Sequence, residues 1–157
     1  MHTVATRSVG CQRPTLKVAV EVNHIVIPAK DTRATADLLA YILGLDVEDN
    51  SDRFVRIRTS YGLTLDFSEP KAWHGPIQCA FLVSRAEFDA ALSRMSRGAI
   101  DFYAAFDRKG RGEINHLHCG RGIYFDDPDG HLFELIEQLD TSAAKSRIKA
   151  VAIKVRT

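Results

Sequence analysis

Glu134 stands in the middle of the apolar run Leu132-Phe133-Glu134-Leu135-Ile136, with hydrocarbon neighbours on both faces. A lone carboxylate in such surroundings costs roughly several kcal/mol. Glu134 therefore requires a partner, either a metal ion or a cationic side chain such as Arg56 or Arg58 from another strand. An imidazole stands in a second apolar run, at His24 in "AVEVNHIVIPA". Two further residues occupy matching places. "GLTLDF" (62–67) aligns with "GHLFEL" (130–135), which sets Gly62 on Gly130 and Asp66 on Glu134, and the opening strands set His24 on Gln78. Four side chains able to bind a cation thus fall on the first and last strands of two repeats. Taken alone, His24 also reads as a core histidine bonded to a backbone carbonyl.

A second group lies in the glycine-rich, charged loop "RKGRGEINHLHCGRG" (108–122). His116 and His118 can accept or donate a proton near neutrality, or they are two exposed histidines that happen to be close. Arg121 can hold an anionic substrate group or simply be solvated. Tyr124 falls on the same strand parity as the ligand candidates, where its hydroxyl would bond to a substrate oxygen or to a protein partner. His131 has the opposite parity and is not expected to ligate. His74 would replace Gln78 only if its strand began earlier than the pattern indicates.

These residues need strands of alternating polarity and helices to back them. The pattern predicts strands over 19–29, 54–60 and 63–69, with a helix over 31–44 capped by Asp31 and ended by Gly44. After a break at "PKAWHGP" the order recurs. A strand over 77–84 leads into a helix opened by the capping-box pattern Ser84-Arg85-Ala86-Glu87 and running to about Arg97. Further strands fall over 100–106, 122–127 and 131–138, the last two joined by the tight turn Asp127-Pro128-Asp129-Gly130. A short strand at 45–49 completes the first half. The chain thus reads as α+β, with an N-terminal tail (1–18), one domain (19–139, modules about 19–69 and 77–139) and a basic C-terminal tail (140–157). The tail is expected to be solvated, and its "AVAIKV" alternation could instead add an edge strand.

With 157 residues, 45% apolar and 26% charged, the composition suits a single globular domain. A net charge of +1 gives no case for nucleic acid or an anionic membrane as partner. No apolar run approaches the ~20 residues of a membrane span, and the N-terminus lacks a secretory h-region. The three cysteines (Cys11, Cys79, Cys119) read as free thiols of a cytoplasmic protein, a Cys79–Cys119 disulfide being the alternative.

The stretches "VNHIVIPAKD", "YILGL", "AFLVSRAEFDAAL" and "YFDDPDGHLFELIE" together resemble the vicinal oxygen chelate superfamily, which includes glyoxalases, bleomycin-binding proteins and type I extradiol dioxygenases. The resemblance implies two β-α-β-β-β modules forming a curved mixed sheet around a central cup, with a divalent metal (Fe, Mn, Ni or Zn) inside. It places His24, Gln78, Glu134 and Asp66 as ligands, Gln78 standing where many members carry a second histidine. The spacing from Asn115-His116 through Tyr124 and Asp127-Pro128 to Glu134 is similar to the extradiol signature. That likeness implies catalytic roles for His116 and Tyr124, while His118 and Arg121 of the glycine-rich loop are the substrate-binding candidates. The resulting expectation is a homodimeric metal-dependent enzyme acting on a small molecule with vicinal oxygens. Its chemistry would be dioxygenase-like or glyoxalase/lyase-like. The alternative is a metal-free protein that sequesters a drug.

Overall fold

A computed structural model describes residues 22–48, 53–60, 62–117 and 120–138, together with the backbone of 153–155. The first module runs β1 (His24–Pro28), α1 (Thr32–Leu43), β2 (Val47–Glu48), β3 (Val55–Arg58) and β4 (Thr64–Ser68). The second runs β5 (Ile77–Val83), α2 (Arg85–Arg97), β6 (Gly122–Asp126) and β7 (Leu132–Glu137), with β8 (Ile153–Val155) after it. Each module makes its own mixed sheet, in the orders β1-β4-β3-β2 and β6-β7-β5-β8. The parallel pair β1/β4 of the first corresponds to β5/β7 of the second. The two sheets, with one helix each, are the α+β architecture of the repeat.

The helix boundaries arise from local chemistry. Asp31 accepts a hydrogen bond from the Ala34 N–H and so satisfies one of the free donors of the first turn. Gly44 ends α1 at φ 70°, where a side chain would be strained and its Cβ would collide with Arg94. Ser84 and Glu87 form the expected reciprocal capping box at the start of α2.

Two expectations need correction. Residues 100–106 are not a strand: only Tyr103 pairs, exchanging two 2.8 Å backbone bonds with Tyr124. The chain then folds into a short loop hairpin with Gly110 and Gly112 at positive φ, which interrupts any ladder. Part of the C-terminal tail is strand rather than free tail, the alternative its alternation offered: Ile153–Val155 pairs antiparallel with Ile77–Cys79 and adds the edge strand β8. The rest of that tail, the N-terminal tail, Cys11, His118 and Cys119 lie outside the described residues.

Strand parity sorts the side chains. Among the described residues, the core cluster draws only odd-numbered strand residues, including Ile27, Ile57, Leu65, Phe67, Phe125 and Phe133, which pack with Leu39 and Ile42 of α1 and Phe88 and Met95 of α2. The helices therefore cover the odd faces of both sheets. Even-numbered residues occupy the opposite faces, where the candidate site residues lie.

The modules are tied together at the turn before β7. Asp127 Oδ1 accepts from the N–H groups of Asp129 and His131, at 3.1 and 2.7 Å, and Gly130 adopts φ 79° to complete the turn. His131 is fully buried. Its Nδ1 accepts from the Ile77 N–H at 2.9 Å, and its Nε2 lies 2.7 Å from the Pro28 carbonyl. These neighbours require the neutral Nε2–H tautomer. One imidazole thus joins the end of β1, the start of β5 and the β6–β7 turn. From the first module Thr35 donates to Asp127 Oδ2 at 3.1 Å, and the Lys30 N–H donates to Asp129 at 2.6 Å. At the opposite helix ends, Arg94 of α2 donates to the Ile42 carbonyl of α1 at 3.0 Å.

His131→Ala would leave the Ile77 N–H without its acceptor and the Pro28 carbonyl without its donor. Each orphaned buried group costs about 1–3 kcal/mol. Urea unfolding is expected to show a loss of about 3 kcal/mol; a loss below about 1 kcal/mol would show that the junction does not depend on this ring.

Candidate functional site

The even face of the first sheet carries His24 and Val26 on β1, Thr64 and Asp66 on β4, Arg56 and Arg58 on β3, and Glu48 on β2. Register aligns Val26, Asp66, Arg56 and Glu48 in one row and His24, Thr64 and Arg58 in the next. His24 is exposed, with Nδ1 3.1 Å from the Asn23 side-chain oxygen. Asp66 is buried, and both its oxygens are taken: Arg56 donates through Nε at 2.6 Å and Nη2 at 2.7 Å. That guanidinium holds the Asp66 carboxyl below the usual carboxylate range, against the opposing effect of burial. Arg58 grips Glu48 in the same two-pronged way at 3.0 and 3.1 Å.

The even face of the second sheet carries Gln78, Ala80, Tyr124 and Glu134. Glu134 lies between Ala80 and Tyr124 in register, and Gln78 is one same-face step along β5 from Ala80. Glu134 is only 7% exposed. Its partner is the Tyr124 hydroxyl, whose pKa rises to about 12 through burial and then through its hydrogen bond and proximity to that carboxylate. Tyr124 therefore stays protonated near neutrality and acts as a fixed donor. Arg56 and Arg58, the cationic alternatives for Glu134, belong instead to Asp66 and Glu48 on the other sheet. Both ion pairs join same-parity residues of neighbouring strands, a signal present in the alternation of "FVRIRTS" and "LTLDFSE".

The remaining described candidates are His116, His74 and Arg121. His116 is exposed in the loop after the Tyr103 bridge. His74 is exposed and precedes β5, which begins at Ile77. Arg121 is not free to hold a substrate anion. It donates to Glu137 at 2.7 Å, contacts Asp89 of α2 at 2.8 Å and lies 4.6 Å over the Phe88 ring. All three neighbours are on the helix side, away from Glu134.

A divalent metal does not fit a single chain as described. Asp127, Asp129 and His131 bring ligand atoms within 4.8 Å of one another. Both His131 nitrogens, however, are committed to backbone groups, so it has no lone pair to give. Among the described residues His24, Asp66 and Glu134 do not close into such a group. His24 and Asp66 sit on the first sheet, Gln78 and Glu134 on the second, and Arg56 already neutralises Asp66.

The Arg121–Glu137 pair has a pH signature. Arg121 draws the Glu137 carboxyl from 4.5 down to about 2, opposed by burial. The folded value lies below the unfolded one, so the pair's contribution is complete above about pH 4.5 and is lost as pH falls through about 2. Urea stability measured across this window should fall less steeply with acid in Glu137→Gln than in the parent; parallel curves would show that the pair is not the acid-sensitive element.

The profile of the Glyoxalase/Bleomycin resistance protein/Dioxygenase superfamily matches residues 21–135. No curated protein matches. Two solved structures, the oxidases ChaP-H1 and ChaP-H2, are each 36% identical. ChaP-H1 aligns with a TM-score of 0.72 over 77% of this chain and 98% of its own, and ChaP-H2 with 0.71 over 76% and 94%. The fosfomycin resistance protein FosX from Listeria monocytogenes, at 21% identity and TM-score 0.57 over 78% of this chain and 96% of its own, shares the fold. Two repeated modules, sheet faces that neither α1 nor α2 covers and this match over most of the domain lead to one conclusion: the chain belongs to the glyoxalase/bleomycin resistance/dioxygenase superfamily, the vicinal oxygen chelate proteins.

Proposed function

We propose that the protein is a metal-dependent enzyme of the oxidase or dioxygenase type, acting on a small molecule with two neighbouring oxygen atoms and working as a homodimer. The observation that carries this reading is the division of the ligand candidates. His24 and Glu134 occupy corresponding faces of the two modules, which neither α1 nor α2 covers, and among the described residues neither face alone offers a complete ligand set. A homodimer that set the second sheet of one chain opposite the first sheet of the other would complete the set. The β1 strand has a free edge among the described residues, with Val22 and Val26 about half exposed beside it, a pattern suited to a partner surface. The 36% identity to two oxidases supports redox chemistry over the lyase alternative.

A divalent ion, when bound, supplies Lewis acidity toward the substrate oxygens. The chain's own groups have separate tasks. Tyr124 fixes the Glu134 carboxylate by donating to it, and its high pKa makes it a donor rather than a base. The buried walls around Glu134, including Leu132, exclude water. His116, exposed on its loop, is the candidate proton carrier. Arg121 and His131 serve the fold.

The second reading is a metal-free binding protein. The neutralised Asp66 and the glutamine at position 78 favour it, because an amide is a weaker donor than imidazole for Fe, Ni or Zn.

Elemental analysis of protein purified without an affinity tag separates the two. About one Fe, Mn, Ni or Zn per chain is expected, lost in His24→Ala and in Glu134→Ala while circular dichroism stays native. Light scattering should give the mass of two chains, and oxygen uptake with catechols should appear only in the metal-loaded protein. Metal-free protein that still binds aromatic ligands after incubation with each ion would establish the second reading.

A further inference from the structure

The even face of the first sheet carries two guanidinium groups that are fixed but not saturated. Arg56 and Arg58 are two apart on β3, so they share a face, with Cβ atoms roughly 7 Å apart. Each uses the same edge of its planar fork: Nε and Nη2 go to Asp66 in one case and to Glu48 in the other. Neither Nη1 meets an acceptor among the described residues. Asp66 is itself held in place, buried and bonded by the Thr64 hydroxyl as well as by Arg56. The Arg56 side chain is 31% exposed and that of Arg58 is 50% exposed, so both present their remaining donors to the space over the sheet.

Anchoring by a carboxylate does two things to an arginine. It removes the rotamer freedom that a long side chain would otherwise lose on meeting a ligand. It also cancels much of the net charge, so the group no longer attracts every passing anion but still offers directed, charge-assisted N–H donors. Two such groups side by side match the two oxygens of one carboxylate. They stand in the rows that contain His24 and Asp66, on the face where the proposed site is assembled.

We infer that Arg56 and Arg58 form a specificity subsite for a substrate carboxylate, so that the preferred substrate is an aromatic or enolic acid carrying its vicinal oxygens at the far end from that carboxylate. The inference rests on the vicinal-oxygen reading above and narrows it. These arginines select and position; they do not take part in the bond changes.

Calorimetric titration of the full-length, metal-supplemented protein with 3,4-dihydroxybenzoate and with catechol tests it. The acid is expected to bind about tenfold more tightly than catechol. Arg58→Met should reduce that gap to about threefold or less while leaving catechol affinity unchanged. Arg56→Met strands the buried Asp66 and can unfold the chain, so Arg56→Lys is the informative change there. Lysine keeps a cation beside Asp66 but loses the spare fork donor, and the gap should shrink in the same way. Equal affinity for the two probes in the parent would overturn the subsite and leave the vicinal-oxygen reading standing. A gap that survives both substitutions would also overturn the subsite. Failure of both probes to bind would remove the substrate class and the subsite together.

Discussion

One neutral imidazole holds the two halves of this protein in register. His131 accepts from one backbone N–H and donates to one backbone carbonyl, and those groups belong to the start of β5 and the end of β1. These are the opening strands of the two modules, so the positions of His24 and Gln78 relative to the last strands depend on that ring. The Asp127 turn holds the ring at the correct height. Asp127 itself is kept from water by Thr35 and its neighbours, and burial raises its pKa above the usual carboxylate range. The segment that looks most like a catalytic signature is in this respect a structural clamp, with Tyr124 and Glu134 on the opposite face.

That split explains how much the residues alone reveal. Helix caps at Asp31, Gly44 and Ser84 depend on neighbours within four residues, and all three are legible in the sequence. The strand alternation correctly divides the core face from the opposite face, because a period of two survives without tertiary information. The strand expected at 100–106 fails for a different reason. Composition there is strand-like, but a ladder needs a partner in regular extended backbone, and the adjoining loop turns at Arg108, Gly110 and Gly112, all at positive φ. The alternation of "AVAIKV" allows an edge strand at the C-terminal end, but its partner β5 is hidden, since it lies more than seventy positions away.

Partner assignment is the harder part of the site. The apolar surroundings of Glu134 announce that it needs a partner, and a strand arginine is a reasonable choice on charge alone. The actual partner, Tyr124, lies directly across an antiparallel pair and is visible in the hairpin register, although a tyrosine there reads equally well as a substrate contact. Arg121 shows the opposite error. A guanidinium in a glycine-rich loop suggests anion binding, yet Glu137, Asp89 and Phe88 claim it, and two of those belong to a helix whose placement no local pattern reveals.

The sheet of the second module also acts as a partition. Cys79, with its thiol pushed up to about 12 by burial, and Met95 are both fully buried on the helix side. Chemistry on the opposite face that leaks peroxide or superoxide would meet strands and aromatic rings before reaching either sulfur. Sulfur at these two positions is therefore shielded, since sulfur oxidation requires both access and, for a thiol, the deprotonated form.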